Sequence, residues 1–338
     1  MKKSLIAMAV LASSGAAMAQ SSVTLYGLVD AAVGYTSTTT AAGVKTSQSV
    51  VASSGANNSR WGLKGTEDLG NGLKANFALE AGFNTDTGTD AQTVGAAGTA
   101  FGRQAWVGLS GDFGAVSVGR QYTAYDALRA ATNNLYDTNM ATTNTVWKNG
   151  IADYTNRASN SIAYTSPVFS GFSGAAVYGF GEDKDAIGSR NASFNASLHL
   201  KYANGPLLVG YAYQEELSSA AVVARSRNKY HLIAGSYDFG VAKLTGGFNM
   251  AKDGTQKDKE FQIGVSAPFG AATVAAGYSY SKNEVDATGV TTKMSGLSLL
   301  GTYSLSKRTT LYAGVNGTKV KDASTKSSMV AAGVRHTF

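Results

Sequence analysis

Between Ser59 and Glu80 the chain reads SRWGLKGTEDLGNGLKANFALE. Here Trp61, Leu63, Leu73, Ala75, Phe77 and Leu79 interleave with Arg60, Lys64, Lys74, Asn76 and Glu80. A period of two puts alternate side chains on opposite faces of an extended strand, and the two runs meet at Asn71-Gly72, a pair that tolerates positive φ. The pattern predicts a β-hairpin with one apolar and one charged face. The alternation recurs downstream. Leu198, Leu200 and Tyr202 interleave with Ser197, His199 and Lys201; Phe261, Ile263 and Val265 with Gln262, Gly264 and Ser266; Leu297, Leu299 and Tyr303 with Ser298, Thr302 and Ser304. From Thr310 to Lys319 it is weaker.

Punctuation between these runs is regular. Asp68-Leu69-Gly70, Asp112-Phe113-Gly114, Asp238-Phe239-Gly240 and Pro268-Phe269-Gly270 each fall between alternating segments, where a tight turn is expected. The DFG triplet also binds magnesium in protein kinases, but no lysine strand or HRD-type loop accompanies it. Pro167 to Gly171, Ala203 to Pro206 and Ser306 to Thr309 complete a set of seven short connections. They divide the chain into eight two-strand units, about sixteen strands in all, each closed by a longer polar loop. Those loops lie near Thr36–Asn57, Thr87–Ala100, Thr123–Ser159, Glu182–Asn191, Ser218–Ser226, Asp253–Asp258, Val285–Thr292 and Lys321–Lys326. Since successive strands reverse direction, every short turn falls at one end and every long loop at the other. An outer-membrane barrel is expected to show that asymmetry; a soluble sandwich is not required to.

Composition agrees with strands and turns: 40 glycines, 17 tyrosines and 13 phenylalanines stand against 3 prolines. The opening MKKSLIAMAVLASSGAAMAQ joins a basic start to a short apolar run and the small-x-small pattern Ala17-Met18-Ala19, which predicts a secretory signal peptide over residues 1–19. The mature chain would then be one domain over residues 20–338, its formal charge lowered from +7 to +5 by loss of Lys2 and Lys3. With no cysteine, it relies on packing and backbone pairing rather than disulfides. After the leader no apolar run reaches the ~18 residues of a spanning helix, so the chain is either soluble outside the inner membrane or crosses a membrane as a closed barrel.

Alternation alone does not say which face is inside, because a sandwich would turn the apolar one inward. The terminal MVAAGVRHTF puts Val330, Ala332, Val334, His336 and Phe338 on one face and ends on an aromatic. With this ending the chain resembles the Gram-negative general-diffusion porins, particularly the trimeric beta-proteobacterial type. The resemblance rests on the order and spacing of SSVTLYGLVDAAVGY, SRWGLKGTEDLGNGLKANFALE, FGRQAWVGLSGDFGAVSVGRQ, LSKRTTLYAGV and VRHTF. It implies an all-β, 16-stranded antiparallel transmembrane barrel with short periplasmic turns, long extracellular loops and a third loop folded inward. It further implies a homotrimer in outer-membrane lipid and lipopolysaccharide, passing small hydrophilic solutes and ions, with Phe338 read by the barrel-assembly machinery. Energetics point the same way. An Arg or Lys facing lipid near the midplane costs ~2–4 kcal/mol, so the charged face belongs against a wet lumen.

On this reading Arg60 and Lys64 share an inward parity opposite Trp61 and Leu63, and Glu80 opposes Leu79. Arg103 shares parity with Ala105, Val107 and Leu109; it is assigned inward because Trp106 is taken as the lipid-facing residue and because similar porins carry a lumen arginine at that place. Arg157, in TNRASNSIAY, matches the third arginine of the basic cluster that such porins place at the constriction. Arg120 shares a face with Val116 and Val118 and is expected to point away from the lumen. The segment Thr123–Ser159 is too long and too apolar for a solvated tether. Related porins fold this loop into the barrel, which makes Asp126, Asp137 and Asp153 candidates to face the arginines and Tyr122 and Tyr125 candidates to line the approach. The loop lacks the PEFGG signature of enterobacterial members. Converging arginines within low-dielectric walls favour small anions.

Three histidines, no cysteine and no regular acidic cluster leave little from which to build a metal or nucleophilic site, and no cofactor or enzymatic activity is expected. The basic residues alternate with apolar ones instead of forming a patch with stacking aromatics, which argues against nucleic acid. Two rivals remain: a substrate-specific channel, which would need an aromatic slide or ligand cluster, and a secreted β-rich adhesin.

Overall fold

The computed structural model describes residues 21–92, 99–133, 140–182, 192–218, 226–321 and 323–338. The predicted leader, residues 1–19, lies outside them. The first half of the chain supplies β1 (Ser21–Thr39), β2 (Lys45–Ser53), β3 (Arg60–Gly70), β4 (Leu73–Gly82), β5 (Gln104–Gly111), β6 (Gly114–Tyr122), β7 (Arg157–Thr165) and β8 (Phe172–Phe180). Between β6 and β7 sit two helices, α1 (Ala124–Ala131) and α2 (Thr143–Val146). There follow β9 (Phe194–Asn204), β10 (Leu207–Leu217), β11 (Arg227–Asp238), β12 (Lys243–Lys252), β13 (Gln256–Phe269), β14 (Ala272–Val285), β15 (Thr291–Ser304), β16 (Thr309–Val320) and β17 (Lys326–Thr337).

Each strand pairs antiparallel with its sequence neighbour except β2 and β3, which both pair with β1, and β17 pairs back onto β1 from Leu28↔Thr337 to Thr39↔Lys326. Closure is finished by Phe338, which exchanges backbone hydrogen bonds of 3.1 Å with Gly27 in both directions. Gly27 has no side chain for a reason: a Cβ there would sit 2.6 Å from the Phe338 ring.

The seventeen segments occupy sixteen positions around the barrel. β2 pairs with the upper part of β1 (Ala31–Thr39) and β3 with the lower part (Ser21–Leu28), so the two are one strand interrupted between Ser53 and Arg60. The loop expected over Thr36–Asn57 is therefore mostly strand, with a tip at residues 40–44 and a break at residues 54–59. Asp30, fully buried, organises the break. Its carboxylate accepts the backbone N–H groups of Ala56 (3.2 Å) and Asn57 (2.9 Å) and the Tyr312 hydroxyl (2.6 Å). Its own N–H donates to Ser59 Oγ at 2.9 Å.

All seven expected short turns lie at one end. Asp68 and Asp238 each accept the N–H two residues ahead, from Gly70 at 2.9 Å and Gly240 at 2.8 Å, closing the turn over a positive-φ glycine. The faces are inverted relative to a soluble protein. Val33, Val107, Leu200, Ile263 and Leu297 are 51–70 % exposed, whereas Asp30, Gln214, Asn249, Glu260, Ser279 and Ser281 are wholly buried. Only a lipid surround makes that distribution favourable. No helix among the described residues is long and apolar enough to cross a membrane.

Candidate functional site

Glu80, 5 % exposed on the inner face of β4, gathers the basic wall. Its Oε1 accepts Arg103 Nε at 2.7 Å, and its Oε2 accepts the Tyr26 hydroxyl at 3.0 Å and faces Arg60 Nε at 3.8 Å. Lys64 lies over the Tyr26 ring at 5.1 Å and joins this wall from the side of the short turns. Tyr122, the last residue of β6, links the remaining arginine: its hydroxyl oxygen accepts Arg103 Nη2 at 2.6 Å and Arg157 Nη2 at 2.7 Å. The Arg157 guanidinium also stacks on the Tyr122 ring at 4.3 Å. Arg60, Arg103, Tyr122 and Arg157 all sit at or beside strand ends, which is how residues distant in sequence reach one level of the barrel. A cavity of 790 Å³ opens beside them, lined by Lys64, Asn76, Glu80, Gln104, Trp106, Ser117 and Tyr122 among others.

The segment after β6 folds across the lumen. Thr123 caps α1 by accepting the Asp126 N–H, and the helix is pressed onto the far wall. Tyr125, Leu128, Val146 and Trp147 pack against Ala212, Tyr230, Leu232 and Ala234 of β10 and β11. Polar anchors complete the attachment. Ala124 N–H donates to Ser197 Oγ (3.0 Å), the Tyr125 hydroxyl to Asn249 Oδ1 (2.5 Å), and the Ile151 and Ala152 N–H groups to Asp258 Oδ2 (2.7 and 3.0 Å). His199 Nδ1 lies 2.7 Å from Ala124 O. A 300 Å³ cavity has Asn58 on one side, whose carbonyl accepts Arg60 Nη1, and Arg129, Trp147, Lys148 and Asp153 of the loop on the other. The loop thus stands opposite the arginine wall.

Several sequence expectations change. Tyr125 does not line the approach: it is fully buried in an edge-on aromatic cluster with Tyr154 (4.6 Å) and Tyr230 (6.1 Å) and glues the loop to the wall. Asp126 is 2 % exposed and accepts the Tyr154 hydroxyl at 2.5 Å, so it is not presented to the arginines. Asp153 reaches solvent but is paired with Lys148 at 3.3 Å, which cancels its charge locally. Asp137 lies outside the described residues. Trp106 turns into the barrel, donating to Gln104 Oε1 at 3.1 Å, while Val107 and Leu109 face out. Arg103 is inward for another reason: it precedes β5, so strand parity does not extend to it. Arg120 donates to Gly102 O and Ser159 Oγ beside a register shift in β6.

Two basic residues were not singled out in the sequence. Arg335 donates to Asn57 Oδ1 and Thr310 Oγ1, and its parity opposite Val334 and His336 would have revealed it. Arg129 is 8 % exposed, stacked on Trp147 (4.9 Å) and Tyr154 (5.3 Å). Only the helical turn of α1 puts it there, and period-two reasoning does not see it.

A closed barrel with an inverted surface and a loop folded across a basic wall is matched by known proteins. The family model described as Gram-negative porin matches residues 4–323. The chain belongs to the Gram-negative porins. Outer membrane porin protein 32 of Delftia acidovorans is 39 % identical over 340 residues, covering 96 % of this chain and 92 % of the relative. An outer membrane porin protein of Bordetella pertussis is 34 % identical over 403 residues and covers both chains fully. Among solved structures, an anion-selective porin from Comamonas acidovorans superposes with a TM-score of 0.80 at 32 % identity, covering 94 % of this chain and 100 % of that one. This porin therefore resides in the outer membrane, where its strands span the bilayer and its lumen passes small hydrophilic solutes; it is a channel and not an enzyme.

Proposed function

We propose that this porin prefers small anions and that Arg60, Arg103 and Arg157, with Lys64 behind them, form the basic wall of its constriction. The observation that carries the reading is a chain of guanidinium groups: Arg60 and Arg103 share the Glu80 carboxylate, and Arg157 joins Arg103 through the Tyr122 hydroxyl. On the loop side Asp126 accepts the Tyr154 hydroxyl and Asp153 is paired with Lys148. A low-dielectric surround amplifies the resulting positive potential. The similar porin from Comamonas acidovorans, described as anion-selective, supports the same preference.

Reversal potentials across a KCl gradient test it. The wild-type channel should favour chloride, and Arg60→Gln, Arg103→Gln and Arg157→Gln combined should shift the potential towards the potassium value. The preference should also shrink between ~0.1 M and ~1 M salt, as the screening length falls from ~10 Å to ~3 Å. An unchanged potential in the triple variant removes these residues from the filter.

The functional unit in this reading is a homotrimer embedded among lipid and lipopolysaccharide. Strands β5 to β8 are eight or nine residues long and β13 to β15 fourteen, and such a low wall is suited to being covered by neighbouring copies. Residues 1–19 act as a leader removed on export, and Phe338, at the closing seam, serves as the signal for barrel assembly. Crosslinking in whole membranes, with and without Phe338, addresses both assembly claims.

A further inference from the structure

The three arginines of the wall are not equivalent. Arg103 is bound to Glu80, and Arg60 faces the other oxygen of the same carboxylate. Arg157 makes no ion pair among the described residues; its partners are neutral, the Asn156 side-chain oxygen and the Tyr122 hydroxyl. It is 8 % exposed, and its Nε is buried without a hydrogen-bond partner. A guanidinium held this far from bulk water with no counter-charge is poised for an anion.

The partner that holds it carries a second donor. The Tyr122 oxygen accepts one N–H from Arg103 and one from Arg157, which uses its acceptor capacity and leaves its own proton to be donated. Among the described residues no acceptor takes that proton. Because both contacts end on one oxygen, the two Nη2 atoms are at most 5.3 Å apart, the sum of 2.6 and 2.7 Å. Two like charges so close raise the local potential, and the hydroxyl between them is polarised towards donation.

We infer that Tyr122 and Arg157 together form an anion station in the constriction, at which a small carboxylate or halide accepts the phenol O–H while facing the uncompensated guanidinium. Tyr122 is then a specificity-determining donor that ranks anions by hydrogen-bond acceptor strength. The inference rests on the anion preference proposed above.

The test separates ranking among anions from preference for anions over cations. Under bi-ionic conditions with potassium acetate on one side and potassium perchlorate on the other, the wild-type channel should favour acetate, the stronger acceptor. Tyr122→Phe keeps the ring under Arg157 but removes the donor, and should lower the acetate-to-perchlorate permeability ratio about fivefold. Arg157→Lys keeps the charge but loses the fork that reaches Tyr122, and should lower the ratio likewise. Adding Tyr122→Phe to Arg157→Gln should produce no further fall, because the two residues act as one site. Heat-modifiable gel mobility verifies that each barrel is folded, and the Arg157→Lys channel decides the matter should Tyr122→Phe fail to assemble. An anion-selective wild type whose acetate-to-perchlorate ratio survives either substitution overturns the station. A wild type with no anion preference overturns instead the reading on which it rests.

Discussion

Asp30 shows how one side chain sets the shape of a strand. A carboxylate facing the lumen accepts two backbone N–H groups from the break between β2 and β3 and a hydroxyl from β16. It thereby satisfies donors that an interrupted ladder would leave bare. Gly55 lies within that break, where a Cβ would sit 2.2 Å from the Tyr312 hydroxyl, so the packing admits no larger residue. Asp30→Ala strands these buried donors and should cost about 3 kcal/mol or more, at roughly 1–3 kcal/mol per unsatisfied group. Asp30→Asn retains one acceptor and should lose less. Urea unfolding midpoints of the two variants in detergent should fall in that order, and equal midpoints would mean that the break is held by other contacts.

At the scale of elements, the segment between β6 and β7 behaves as a folded insert. Its apolar residues do not seek a core of their own; they find apolar fields on the inner wall, Tyr125, Leu128 and Trp147 against Ala212, Leu232 and Ala234, and Met140 and Ala141 against Ala275, Leu300 and Ala331. Trp147 is central to that seam, packed below the surface with Arg129 stacked over it. Trp147→Ala should weaken docking by about 3–5 kcal/mol, the usual cost of deleting a buried aromatic. Single-channel recordings should then show a larger and noisier conductance as the loop leaves the far wall. Conductance equal to wild type would place the narrowing elsewhere. Neither the helix α1 nor its landing site was legible as such, because both depend on contacts with strands far along the chain, 73 residues away in the Ala124–Ser197 hydrogen bond and 124 in Tyr125–Asn249.

For the molecule as a whole, membrane residence depends on parity. Leu200 and Lys201 are adjacent on β9, yet one is 56 % exposed towards lipid and the other shares the inner face with His199. Leu200→Arg should destabilise insertion by ~2–4 kcal/mol, whereas Lys201→Leu should insert normally; the yield of heat-modifiable barrel in lipid vesicles measures both. Equal yields would deny that the apolar face meets hydrocarbon. From the chain alone, turn spacing set about sixteen strands with the short turns at one end, and the two-residue period of a strand put Arg60, Lys64 and Glu80 opposite Trp61, Leu63 and Leu79; that their face lines the lumen followed from the family resemblance and the cost of charge in lipid. Tertiary structure alone decided which acids meet the arginines, that Trp106 turns inward, and that Tyr122 joins Arg103 to Arg157. Those outcomes are set at strand ends, bulges and an inserted helix, where the period lapses and side-chain direction is governed by partners that only closure of the barrel brings near.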